Sequence, residues 1–184
     1  MGLNLANQGA DAKDLYKMSA GMHIGVVDNF ELAGGISIQP GVYYAQKNWK
    51  MEGINMSIGS LSAETEDIKF HTHYIEVPVL VKYNLEVSDL TIDPHVGPYF
   101  GFGFAGKIKD SDPSARIFSK PKDKHPDNLN YSNFDMGLDL GCGVTYASVY
   151  FGIDYQLGFK DVAKTANLDV KNRNLMFTFG VWFE

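Results

Sequence analysis

From Phe134 to Tyr146 the even positions are Phe134, Met136, Leu138, Leu140, Cys142, Val144 and Tyr146, and the odd ones are Asp135, Gly137, Asp139, Gly141, Gly143 and Thr145. One face is wholly apolar; the other is glycine, acid and hydroxyl. This alternation predicts a strand held between two different environments, since a helix would scatter the same residues around its circumference. The next segment repeats it: Val149, Phe151, Ile153, Tyr155, Leu157 and Phe159 stand against Tyr150, Gly152, Asp154, Gln156, Gly158 and Lys160. Only Ala147 and Ser148 lie between, which predicts a tight hairpin, although Ala-Ser is not the usual Asn-Gly turn chemistry. Folded there, the hairpin sets Val144 opposite Phe151, Cys142 opposite Ile153 and Leu140 opposite Tyr155. The two apolar faces then coincide, as a correct register requires.

Six further segments behave alike. Ile75, Val77, Val79, Val81 and Tyr83 form one apolar face, and Ile92, Pro94, Val96, Pro98, Phe100, Phe102 and Phe104 another. Ile36, Ile38, Val42 and Tyr44 precede them, Leu175, Phe177, Phe179, Val181 and Phe183 follow, and Met22, Ile24 and Val26 with the short Leu3 and Leu5 complete eight strands. Pro40, Pro78, Pro94 and Pro98 each remove a ladder donor, so bulges or strand ends are expected there. The connections alternate in length. Those near 8 to 18, 52 to 67, 109 to 132 and 160 to 171 are long and polar, whereas those near 31 to 35, 85 to 90 and 147 to 148 are short. A barrel whose two ends face different compartments shows this asymmetry.

The expected fold is therefore all-β, a single domain over 1–184 built as an eight-stranded antiparallel up-and-down transmembrane β-barrel. The stretch from Phe134, tilted near 40°, would rise roughly 30 Å against an apolar band of roughly 25 Å. Tyr83, Tyr146 and Trp182 fall where an aromatic girdle would sit. The alternative is a soluble, lipocalin-like barrel that turns its apolar face inward around a small apolar ligand. Against it stand Gly97, Gly101, Gly103, Gly137, Gly141, Gly143 and Gly152 on the polar face: glycine weakens a solvated strand, but makes room in a narrow lumen.

Composition narrows the function. Net charge is −6 and sequence pI about 5.3, with Lys and Arg scattered rather than gathered, so nucleic acid is not an expected partner. Cys142 is the single cysteine and has no Cys/His cluster beside it. No stretch approaches the roughly 18 consecutive apolar residues of a membrane helix. Met1-Gly2-Leu3-Asn4 shows no basic segment followed by an apolar core, as a mature or a trimmed chain would also not.

The segment Tyr74-Ile75-Glu76-Val77-Pro78-Val79-Leu80-Val81-Lys82-Tyr83 resembles a strand of the PorT-type outer-membrane β-barrel family of Gram-negative bacteria. Gly2-Leu3-Asn4-Leu5-Ala6-Asn7, Ile38-Gln39-Pro40 with Tyr44-Ala45-Gln46-Lys47, Gly97-Pro98-Tyr99, and Phe134-Asp135-Met136-Gly137-Leu138 with Gly141-Cys142-Gly143 resemble its other strands in order. The likeness implies a barrel in the cell outer membrane and, for the family's namesake, a part in protein secretion across it. Glu184 follows Phe183 where such barrels commonly end on the aromatic itself.

Candidate chemistry is sparse. Gly101-Phe102-Gly103-Phe104-Ala105-Gly106 fits GxGxxG, but no helix pattern follows, and its phenylalanines belong to the apolar face. His71 and His73 share one strand face and lack a placed third metal ligand; Asp93 and His95 share the inward face and lack a nucleophile. No GxSxG is present. The expectation is a protein that is not an enzyme, binds no cofactor or metal, and is not a porin. Glu76, Lys82, Asp93, His95, Asp135, Asp154 and Lys160 are expected to form an ionic network in the lumen, with Lys82 directly opposite Asp93. Outer-membrane lipid is the expected surrounding. A protein or glycan partner would meet the long loops, above all Lys109 to Ser132, where Asp110, Asp112, Lys120, Lys122, Lys124 and His125 are the interaction candidates.

Overall fold

The computed structural model describes residues 1–9, 16–51, 56–58, 61–63, 68–108, 118, 132–160 and 171–183. Its strands are β1 (Gly2–Gly9), β2 (Tyr16–Val27), β3 (Phe30–Glu31), β4 (Ile36–Met51), β5 (Met56–Ile58) and β6 (Leu61–Ala63), then β7 (Ile68–Tyr83), β8 (Leu85–Val87), β9 (Leu90–Ile108), β10 (Phe134–Tyr146), β11 (Val149–Gly158) and β12 (Lys171–Val181). Eight of them, β1, β2, β4, β7, β9, β10, β11 and β12, pair antiparallel in chain order. The ladder from Gly2↔Thr178 to Gly9↔Lys171 joins the first stave to the last and closes the barrel. The remaining four are short: β3 and β8 extend the turns at one end, and β5 pairs with β6 at the other.

The alternation along each stave becomes an inside and an outside. On β10, Asp135, Gly137, Asp139 and Gly143 are buried, whereas Met136, Leu140, Val144 and Tyr146 are exposed. The predicted hairpin register holds residue for residue, Val144 opposite Phe151, Cys142 opposite Ile153 and Leu140 opposite Tyr155. Ala147 takes a left-handed φ of 52° to make the turn, which a non-glycine residue tolerates here because two residues must reverse the chain. The next short turn is built the same way, with Ser88 at φ 58°. A soluble barrel with an apolar interior is overturned by these exposures: Phe151, Ile153, Phe102, Ile24 and Val26 face outward, while Asn4, Glu76, Asp93 and Asp135 are enclosed.

One expectation about strand regularity needs correction. Pairing runs through Pro94 and Pro98 opposite Cys142 and Leu138 without a shift, and Pro40 and Pro78 keep their partners Val79 and Tyr99. A proline forfeits one donor but does not insert a residue, so the register survives. The shifts fall instead between Ser19 and His23 and between His73 and Tyr74, toward the long-loop end. Gly21 lies inside the first of them, as a strand-interior glycine at a bulge often does.

If the exposed face of β10 meets lipid, Leu140→Arg should cost about 2–4 kcal/mol near mid-bilayer. Asp139→Asn, isosteric and inward, should cost much less. Urea unfolding of both variants from phospholipid vesicles checks this ordering.

Candidate functional site

The barrel interior holds two polar clusters stacked along its axis. Nearer the long loops, Lys47 on β4 places its ammonium 2.6 Å from Glu76 Oε1 on β7 and 3.5 Å from Asp135 Oδ2 on β10. The same ammonium lies over the Tyr99 ring, 4.8 Å from its centroid, and 5.4 Å from that of Tyr74. Asn172 and Tyr99 donate to Asp135, at 2.9 and 3.3 Å. Gln156 donates to both Asp139 (3.1 Å) and Glu76 (3.4 Å), and its own carbonyl accepts from Asn174. Each carboxylate removed from water is thus met by a cation or an N–H or O–H donor, which is what makes its burial tolerable.

Nearer the short turns, Lys82 pairs with Asp93 at 2.7 Å, and its ammonium sits 5.1 Å from the centroid of the Tyr150 ring. His95 Nδ1 faces the backbone and side-chain oxygens of Asp93 at 2.9 and 3.3 Å, and Nε2 faces Asp154 Oδ1 at 2.6 Å. Thr178 donates to Asp154, and His23 bridges Thr178 and Asn4 at 3.1 and 2.6 Å. Room for this cluster comes from absent side chains: a Cβ on Gly141 would stand 2.6 Å from His95 Nε2 and 2.8 Å from Asp154 Oδ1. Beyond it, at the short-turn mouth, a cavity of about 640 Å³ lined by Gln39, Tyr43, Leu80, Tyr150 and Trp182 ends inward at Asp154 and Thr178.

A closed barrel of this size, apolar outside and ionic inside, identifies its surroundings. The sequence profile for the outer membrane protein β-barrel domain matches residues 2–164. The chain belongs to that family and resides in the outer membrane. No curated protein matches it. Two solved structures that resemble it are of Ail, the attachment invasion locus protein of Yersinia pestis. One, in complex with the heparin analogue sucrose octasulfate, is 14% identical, with TM-score 0.44 over 99% of this chain and 94% of that one. The other, a crystal structure of Ail, is 12% identical, with TM-score 0.39 over 99% of this chain and 94% of that one.

Within this outer-membrane barrel, six of the residues expected in the lumen, Glu76, Lys82, Asp93, His95, Asp135 and Asp154, are brought inside and distributed between the two clusters. Lys160 is not among them: its ammonium lies 4.7 Å from the Phe134 ring centroid at the long-loop end, because the stave ends at Gly158. Lys82 faces His95 across the ladder rather than Asp93. The hairpin is centred between Ser88 and Asp89, one residue farther along the chain than a Lys82–Asp93 rung requires, and the resulting two-residue slip keeps both side chains inward. A lysine still reaches its diagonal neighbour.

Lys47, Asp139, Gln156 and Asn174 were missed. The signal existed for Lys47, which continues the inward parity of Ala45 toward Trp49, and for Asp139 and Gln156, which stand on polar faces already identified. Asp110, Asp112, Lys120, Lys122, Lys124 and His125 lie outside the described residues. His71 and His73 face outward beside Asn48 and Tyr44, and among the described residues no group of three metal-capable side chains forms. Asp93 and His95 do meet, but both imidazole nitrogens face carboxylate oxygens, so neither is free to act as base on a substrate.

Removing either member of the Lys82–Asp93 pair should strand a buried charge at a cost of about 3–5 kcal/mol. The double variant Lys82→Met/Asp93→Leu should lose clearly less than the sum. A double-mutant cycle by urea unfolding in vesicles measures the coupling, and additivity would show that the pair does not act as a unit.

Proposed function

We propose that this barrel is a closed, non-conducting anchor that presents long external loops to a protein or glycan partner. The observation that supports it is the filling of the lumen: from the Lys47–Glu76–Asp135 cluster to the Lys82–Asp93–His95–Asp154 cluster, charged side chains are buried against one another and occupy the axis. Eight strands leave space for side chains and little more, so bulk solute passage is not the task of such a wall. Recognition then falls to the loops, where chain length enters stability only logarithmically and sequence is free to serve contact.

The stretch from Lys109 to Ser132 is the foremost candidate, with Asp110, Asp112, Lys120, Lys122, Lys124 and His125 as its polar contacts. Phe118 within it packs edge-on against Tyr74 at 5.6 Å and fills the space left by Gly103. That contact ties the loop to the inner wall, so a loop exchange should spare it. A kinship with PorT-type barrels, supported by the Tyr74–Tyr83 strand motif, adds a second reading in which the partner belongs to protein secretion.

Replacing Lys120 to Asn130 with a Gly/Ser link, which retains Phe118, should leave the heat-modifiable gel mobility of a folded barrel intact and abolish capture of the partner from native membranes. Unchanged capture of every partner would remove this loop from the account. Planar-bilayer recordings should show no open-porin conductance, and such conductance would contradict the filled lumen.

A further inference from the structure

Among the described residues, charges beyond the two rims of the apolar band are sorted by sign. The short-turn end carries Asp28, Glu31, Glu86 and Asp89, whereas the outer wall at the long-loop end carries Lys50, Lys69, Lys107, Lys171 and Arg173. The densest part lies on β4, β7 and β9. Lys50 is the direct cross-strand partner of Lys69, and Lys107 that of His71. Like charges directly opposite one another destabilise a sheet. No carboxylate among the described residues forms an ion pair with Lys50, Lys69 or Lys107, so nothing described offsets that repulsion.

What lies next to these cations indicates their counter-ion. One rung toward the membrane, His73 packs between Tyr44 and Phe104, with ring centroids 5.9 and 6.2 Å away and its Nδ1 2.6 Å from the Tyr44 hydroxyl. Phe104 is 60% exposed on the outer wall, and below it β7 turns Ile75, Val77, Val79 and Val81 outward, ending at Tyr83. The aromatic group therefore marks the upper edge of the apolar band. At about 3.3 Å per residue, Lys69 stands roughly 13 Å along the strand from His73 and, with a tilt near 40°, about 10 Å higher. That is headgroup depth, and long lysine stems bend readily toward it.

We propose that Lys50, Lys69 and Lys107, with His71, bind the phosphate of a phosphorylated lipid headgroup in the outer leaflet, the lipid's chains lying on Phe104, Tyr44 and the apolar wall beneath. An amphiphile fits because the cations and the apolar surface are continuous on one outer face; a soluble anion would use only the first. A phosphomonoester fits because its clustered oxygens accept from several ammonium groups at once and relieve the Lys50–Lys69 repulsion. The inference is independent of loop recognition, since none of these residues belongs to the exchanged segment.

The test compares the full chain refolded in phosphatidylcholine vesicles with and without phosphatidic acid. Co-purified lipid is counted by native mass spectrometry, and unfolding is followed in urea. Wild type should retain phosphatidic acid over phosphatidylcholine, and Lys50→Gln/Lys69→Gln/Lys107→Gln should lose at least about tenfold of that preference, given the contribution of single lysines at anionic surfaces. In pure phosphatidylcholine the variant should unfold at the same or higher urea than wild type, because like charges have been removed. A rise in the wild-type midpoint with phosphatidic acid provides a readout even if the variant fails to fold. Equal retention by wild type and variant would overturn the proposal, as would no rise in the wild-type midpoint. Full displacement of the lipid by millimolar inorganic phosphate, or by a sulfated oligosaccharide, would also overturn it, in favour of a soluble anion.

Discussion

Hydrocarbon offers no hydrogen-bond partner, so a strand crossing it must bond both edges to other strands, and the β1–β12 ladder is where this chain satisfies that condition. Closure then dictates the rest. Once the sheet has no edge, its two faces become an outside that lipid must wet and a narrow inside that side chains line. The period-two alternation of the staves sorts side chains between them. Polar residues have nowhere to go but inward, and once there they need partners.

The inward set includes the carboxylates of Glu76, Asp93, Asp135, Asp139 and Asp154, against the ammonium groups of Lys47 and Lys82. With more acids than lysines, neutral donors supplement the ammonium groups: Gln156 serves Glu76 and Asp139, Asn172 and Tyr99 serve Asp135, and Thr178 serves Asp154. Rings of Tyr99 and Tyr150 beneath the two ammonium groups add cation–π attraction in the same confined space. A network that couples five or more staves in this way is stiff.

Much of this was legible in the sequence because alternation is a local signal. Val144, Cys142 and Leu140 announced their partners across Ala147–Ser148, since a one-residue error would have turned every apolar side chain to the wrong face. Parity is insensitive to slips of two, and for that reason Lys82 and Asp93 were rightly put inside but one rung out of register. Strand ends are weaker signals still. Lys160 has the parity of a lumen residue but lies past Gly158, where parity no longer governs direction. Lys47 carries a weaker signal, because it stands where the apolar run of β4 gives way to polar residues on both faces. The prolines leave the register intact, because loss of a donor is not insertion of a residue.

The central claim, lipid outside and a filled polar interior inside, is most directly tested by a nitroxide scan from Phe134 to Tyr146 in a Cys142→Ala background refolded in vesicles. Collision with lipid-soluble oxygen should peak at the even positions and with a water-soluble nickel complex at none of the central ones. A flat profile, or nickel access rising on the odd positions, would contradict a closed barrel with a filled lumen.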